Sequence, residues 1–273
     1  MTLLMGVVNV TPDSFSDGGD FLDPQRAIAH AAELVRAGAD ILDVGGESTR
    51  PGAPEVSAEE ERERVVPVLE GLVGVGVPVS IDTSKAAVAE AALDTGATWV
   101  NDVTAFRADP DLAALCATRR CEVVLMHMLG DPRTMQDDPR YDDVVDDVRA
   151  FLAGRVEAAV AAGVDEDRIW VDPGIGFGKT VEHNLELIRR LGELRDLGRP
   201  ILVGASRKSF IGKITGREVT DRLGGTIAAG VLAVRNGADG IRVHDVAAHR
   251  DALQTLRAVR DGWEPGPVEL PMA

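Results

Sequence analysis

The chain has 273 residues, 45% of them hydrophobic and 4% aromatic, a length that suits one (β/α)8 barrel of about 250 residues and leaves two unrelated domains cramped. Acidic residues outnumber basic ones 45 to 29, giving a formal charge of -16, which makes a nucleic-acid groove or an anionic membrane surface a poor expectation. A small anionic substrate stays open, because a few clustered basic residues set the potential within a Debye length of about 8 Å.

In chain order the sequence repeats a short β-rich run, a loop and a helical stretch, the pattern of a parallel sheet with crossover helices. Strands are predicted over residues 3–10, 41–44, 77–82, 99–101, 122–126, 169–172, 201–203 and 240–243. Thr2 leads directly into the first run without a basic leader, and no apolar run approaches the roughly 18 residues of a membrane span, so a cytoplasmic enzyme is expected. Residues 11–22, with Gly18 and Gly19, have the composition of a closing loop. Asp23 before Pro24 is a helix cap followed by proline at the first helical position, and Ser57 with Glu60 has capping-box spacing. Gly38, Gly96, Gly163, Gly198 and Gly237 stand where helices should stop. Cys116 and Cys121 lack the repeated Cys/His spacing of a zinc site and read as small buried apolar residues. One barrel domain over residues 1–262 and a proline-containing tail over 263–273 are expected.

An open doubly wound sheet would show the same alternation. The polar residues favour closure, since the strand ends of a barrel all converge on one mouth. Asn9, Asp82, Asn101, His127, Asp172, Lys208, and Arg242 with His244 follow seven of the eight predicted strands, and the remaining strand leads into an elaborate loop at residues 45–52. His127, between two methionines, reads as packing or a pocket wall. The glycine-rich run Gly174 to Lys179 lacks both GxGxxG spacing and the full Walker pattern, so nucleotide binding is not expected.

Two runs, MGVVNVTPDSFSDGG at residues 5–19 and DVGGESTRPG at 43–52, carry a family resemblance. It continues through IDT at 81–83, VND at 100–102, MHM at 126–128, DPGIGFGK at 172–179, GASRKS at 204–209 and RVHDV at 242–246. In this order, over almost the whole chain, the segments resemble the dihydropteroate synthases. That resemblance implies a cytosolic, usually dimeric, magnesium-using barrel of the folate pathway. Its reaction joins 6-hydroxymethyl-7,8-dihydropterin pyrophosphate to p-aminobenzoate and releases pyrophosphate.

The resemblance assigns Asp172, Asn101 and Lys208 to the pterin ring. A pterin edge with adjacent N–H donors suits a carboxylate accepting two hydrogen bonds. It sets Asp82 beside the ring, where a fixed charge favours a developing cation; the lesser alternative is that Asp82 caps the helix expected near Lys85. Arg50, Arg242 and His244 would meet the pyrophosphate, for which arginine forks are well shaped. Asn9 resembles the residue that meets Mg2+ arriving with pyrophosphate. Phe15 and Pro51 would wall the aromatic amine, with Thr49 and Ser209 as hydrogen-bonding groups. Asp82, Lys208, Arg242 and His244 are the expected catalytic set. A pterin-dependent methyltransferase barrel or an inactive synthase-like paralogue would keep the pterin groups, although the former needs neither Thr49 and Arg50 nor the Phe15 loop.

Overall fold

The computed structural model describes residues 2–11, 23–49, 52–131 and 134–263. Phe15, Arg50, Pro51 and the tail beyond Trp263 lie outside the described residues. Strands β1 (Leu3–Asn9), β2 (Ile41–Gly45), β3 (Val79–Asp82), β4 (Trp99–Asp102), β5 (Glu122–Met126), β6 (Ile169–Asp172), β7 (Leu202–Val203) and β8 (Gly240–Val243) form one eight-stranded sheet. All named pairings are parallel, in the order β6-β5-β4-β3-β2-β1-β8-β7. The ends β6 and β7 meet through one bridge, Val171 with Ile201, and a 3.0 Å hydrogen bond from Val171 N to Pro200 O. The sheet is a nearly closed (β/α)8 barrel.

Helices α1 (Pro24–Arg36), α2 (Ala58–Gly71), α3 (Ala86–Asp94), α4 (Asp111–Arg119), α5 (Val144–Ala161) and α6 (Val181–Arg189) follow the first six strands; α7 (Ser209–Thr215) and α8 (Leu223–Arg235) both follow β7, and α9 (Val246–Asp261) follows β8. Asp23 caps α1 by accepting from Gln25 N at 2.9 Å. Only half of the expected box forms at α2: Ser57 Oγ accepts from Glu60 N at 3.2 Å, while the Glu60 carboxylate turns to Arg64. A full box appears instead at α6, where His183 fills the position usually held by Glu or Gln. The five expected stop glycines all have positive φ.

Strand alternation assigns the faces. Leu4, Leu42, Val44, Ile81, Val100, Leu125, Val171 and Ile241 join the layer between strands and helices. Their chain neighbours Met5, Ile41, Trp99, Val124 and Leu202 pack together inside the barrel with Leu3 and Trp170. The ring centroids of Trp99 and Trp170 are 5.4 Å apart although β5 separates their strands, as only a filled interior permits. Two residues further along each strand, a side chain returns to the same face. The apolar floor is therefore followed toward the mouth by Asp43 above Ile41, Asn101 above Trp99, and Asp172 above Trp170.

Cys116 and Cys121 are free and buried, as expected of apolar packing. Trp99→Ala should remove the centre of the floor and lower the unfolding free energy by about 3–5 kcal/mol; denaturant unfolding of the variant against the parent checks this.

Candidate active site

The polar layer is tied together across the barrel axis. Arg242, on β8, donates from Nε to Asp43 Oδ2 at 2.6 Å and from Nη2 to Asp82 Oδ2 at 2.8 Å. Asn101 donates from Nδ2 to the same Asp43 oxygen at 3.0 Å. Four strands thus meet in one buried network. Burial raises the pKa of Asp82 against the pull of Arg242, and Asp43, Glu61 and Asp102 push it further in the same direction. Asp82 does not cap α3, because Ala86 N donates to Asp109 Oδ2 at 2.8 Å.

Across the mouth, Asp172 is buried, and its Oδ1 accepts from Gly174 N at 2.6 Å. No described residue donates to its Oδ2. Burial raises the Asp172 pKa, with the Gly174 N–H, Lys208 and Lys179 opposing. A side chain on Gly204 would start 3.9 Å from Asp172 Oδ2 and 3.8 Å from Arg242 Cβ, so glycine keeps the space between them open.

The loop after β6 is built for close approach. Gly174 has φ 67°, and a Cβ there would lie 1.8 Å from His127 O; a Cβ on Gly176 would lie 2.7 Å from Lys208 Cδ. Lys208 Nζ donates to Ile175 O and sits 3.9 Å from the Phe177 ring centroid. Burial lowers its pKa to about 7, against the attraction of Asp172 and Asp82. The neighbouring loops are strapped together, since Arg207 pairs with Asp245 at 2.6 and 3.0 Å, and His244 Nδ1 lies 2.9 Å from Ser206 Oγ.

Asn9 ends β1 at the same mouth, half-buried, in register with Gly45. Ser209 is exposed at the first turn of α7. Thr49 stands apart from the pterin-type groups. It lines a cavity of about 390 Å3 with Glu47, Lys85, Arg107 and Met128, a lining that does not include Asp172, Lys208 or Arg242. Among the described residues no group of three or more His, Cys, Asp or Glu could hold a metal ion.

Two features were not anticipated. Asp43 was visible as a charge on the inward parity of β2, flanked by Leu42 and Val44, and that mismatch was the signal. The second is Lys179, 3% exposed, whose Nζ lies 2.8 Å from His127 Nδ1 and donates to Phe177 O at 3.0 Å. Burial drives the Lys179 pKa well down, with Lys208 adding to the effect. Nothing local in the sequence joins residues 52 positions apart.

Burial, with Lys179 and Arg107 nearby, lowers the His127 pKa to about 2 from 6.5. The folded imidazole stays neutral while the unfolded one takes a proton below about 6.5. Its contribution to stability is therefore complete above that pH and is lost as pH falls toward 2. Between about pH 7.5 and 5.5 the parent should lose about 1.4 kcal/mol more than His127→Gln, which keeps an acceptor for Lys179. Urea unfolding at both pH values reads the difference, and equal losses would assign the proton uptake elsewhere.

Comparison with known proteins agrees with this arrangement. The family described as pterin binding enzyme matches residues 5–244. The chain is 47% identical over 249 residues to dihydropteroate synthase of Synechocystis sp., covering 90% of this chain and 86% of the relative. Among solved structures, Xanthomonas albilineans dihydropteroate synthase with 4-aminobenzoic acid superposes with a TM-score of 0.89 at 50% identity, covering 95% of this chain and 93% of the other. The same organism's enzyme in complex with 7,8-dihydropteroate gives a TM-score of 0.86 at 47% identity, covering 95% and 94%. On the family match and on these identities over almost the whole chain, the chain belongs to the dihydropteroate synthase family of pterin-binding enzymes.

Proposed function

We propose that the chain is the transferase that joins 6-hydroxymethyl-7,8-dihydropterin pyrophosphate to p-aminobenzoate, giving 7,8-dihydropteroate and pyrophosphate in folate biosynthesis. The observation that carries this reading is the facing of Asp172, with one oxygen undonated to by any described residue, and the Arg242–Asp82 pair across a gap kept open by Gly204.

Asp172 Oδ2 accepts from the pterin edge, and Gly174 N fixes the carboxyl plane through Oδ1. Asn101 turns its carbonyl oxygen to the ring, because its amide nitrogen is spent on Asp43, which only accepts. Lys208 covers the opposite edge from above Phe177. The bond between the methylene carbon and the pyrophosphate oxygen breaks with its electron pair leaving on pyrophosphate; the amine nitrogen then forms the new C–N bond and loses a proton. Arg242 and His244 bind the leaving anion, aided by Arg50, as the charge on it grows. When Arg242 turns toward phosphate, the pterin cation takes its place as the counter-charge to Asp82. Thr49, Pro51, Phe15 and Ser209 enclose the aminobenzoate.

The residues fit Mg2+ only as an ion carried by pyrophosphate. Asn9 offers a single neutral amide oxygen at the mouth, and phosphate oxygens and waters complete the shell. Bound there, the ion neutralises charge on the pyrophosphate. Residues 1–262 act as the barrel and 263–273 as a tail. Exposed Ile214, Val219 and Leu223 around α7 and α8 support a homodimer. The family likeness supports a cytosolic location; among the described residues no helix is long and apolar enough to cross a membrane.

Dihydropteroate should appear when the protein is mixed with dihydropterin pyrophosphate, p-aminobenzoate and Mg2+; pterin binding without product would indicate an inactive paralogue. Asp172→Asn should weaken a pterin ligand by about 1.5–3 kcal/mol, because an amide must turn a donor toward one N–H. Titration calorimetry on the folded variant measures it, and unchanged affinity removes Asp172 from the role.

A further inference from the structure

Asp43 is fully buried. One of its oxygens, Oδ2, accepts from both Arg242 Nε and Asn101 Nδ2, at 2.6 and 3.0 Å. The other, Oδ1, is buried and has no hydrogen-bond partner among the described residues. A carboxylate held this way is a poor stabilising device. An uncompensated buried lone pair is costly, and apolar replacements of buried ion pairs are often neutral or better for stability. Nor does Asp43 touch a substrate, since its side chain is 0% exposed.

What the placement does is hold its two neighbours. Asp43 can only accept, so it fixes the direction of the Asn101 amide and leaves that residue's oxygen for the mouth. It also grips Arg242 at Nε, the nitrogen nearest the chain, while Nη2 reaches Asp82 at 2.8 Å. A guanidinium gripped at Nε keeps its place while its outer nitrogens change partner.

We propose that Asp43 is a positioning residue of the condensation: it anchors Arg242 through Nε and Asn101 through Nδ2, so that the outer nitrogens of Arg242 can exchange Asp82 for a phosphate oxygen without the side chain leaving the layer. The proposal rests on the reading that this mouth takes dihydropterin pyrophosphate.

The test is a double-mutant cycle on the full chain, with Asp43→Asn, Arg242→Ala and both together. Two quantities are read: turnover, and binding of inorganic pyrophosphate with Mg2+ by calorimetry. Asp43→Asn should lower turnover about 10- to 100-fold, the scale of a lost charged hydrogen bond. The double variant should lose clearly less than the product of the two single losses, any excess over Arg242→Ala alone reporting the Asn101 anchor. Losses that multiply, or an Asp43→Asn variant with full turnover, overturn the proposal.

The pH profile of kcat/KM gives a further readout. Asp82 is faced by Arg242 from β8, Asp43 from β2, Glu61 from α2, Asp102 from β4 and Lys208 from the loop before α7. Removing the Asp43 charge takes away one of the like charges that raise Asp82, so the acid limb of kcat/KM should move to lower pH; an unmoved limb counts against the role. If Asp43→Asn does not fold, Arg242→Lys keeps the charge but cannot hold Asp43 and a second partner through separate nitrogens of a fork. It should lose at least about tenfold in turnover, and full activity would overturn the anchoring. Should the parent itself make no dihydropteroate, the functional reading fails, and the pyrophosphate titrations still decide whether Asp43 and Arg242 act together.

Discussion

The molecule depends on one geometric constraint: along a strand, a side chain returns to the same face every second residue. Inside a closed barrel this converts a two-residue advance into a change of layer. Trp99, Trp170, Ile41 and their partners make a floor that excludes water, and the next inward residues, Asn101, Asp172 and Asp43, inherit a low-dielectric base. Charges on such a base interact more strongly than they would at a surface. Burial is the first cause of the pKa shifts of Asp82, Asp172 and Lys208, and the chemistry of the mouth cannot be separated from the packing around it.

The charged layer also resolves the contrast between a strongly acidic chain and an anionic substrate. Two cations of the described mouth, Arg242 and Lys208, are held by carboxylates or by the backbone. Arg242 leans on Asp43 and Asp82, and Lys208 on a carbonyl and an aromatic face. Groups held this way need little reorganisation when an anion arrives, no more than an exchange of partner at the outer nitrogens of Arg242, which is what makes a preset charge more useful than a mobile one.

Much of this was legible in the residues. The eight strands, the cap at Asp23 and the stop glycines follow from local patterns that each obey one physical rule, and the end-of-strand polar residues named the mouth. What escaped has a common cause. Asp43 serves residues from β4 and β8, and Lys179 meets His127 across two loops, so neither role exists until the barrel closes. The Ser57 box failed to close for a smaller reason of the same kind: Arg64, one turn beyond Glu60, competes for its carboxylate.

The seam between β6 and β7 holds by a single bridge at Val171 and Ile201, whereas every other neighbouring pair shares a ladder of at least two registered residues. A cylinder with one weak seam is mechanically anisotropic: it resists twisting around most of its wall and yields along one line. Asp172 ends the strand on one side of that line, and Lys208 follows the strand on the other. Asp172 and Lys208 thus stand on opposite sides of the seam, and a flat ring taken by both, as proposed, would act as the missing stitch.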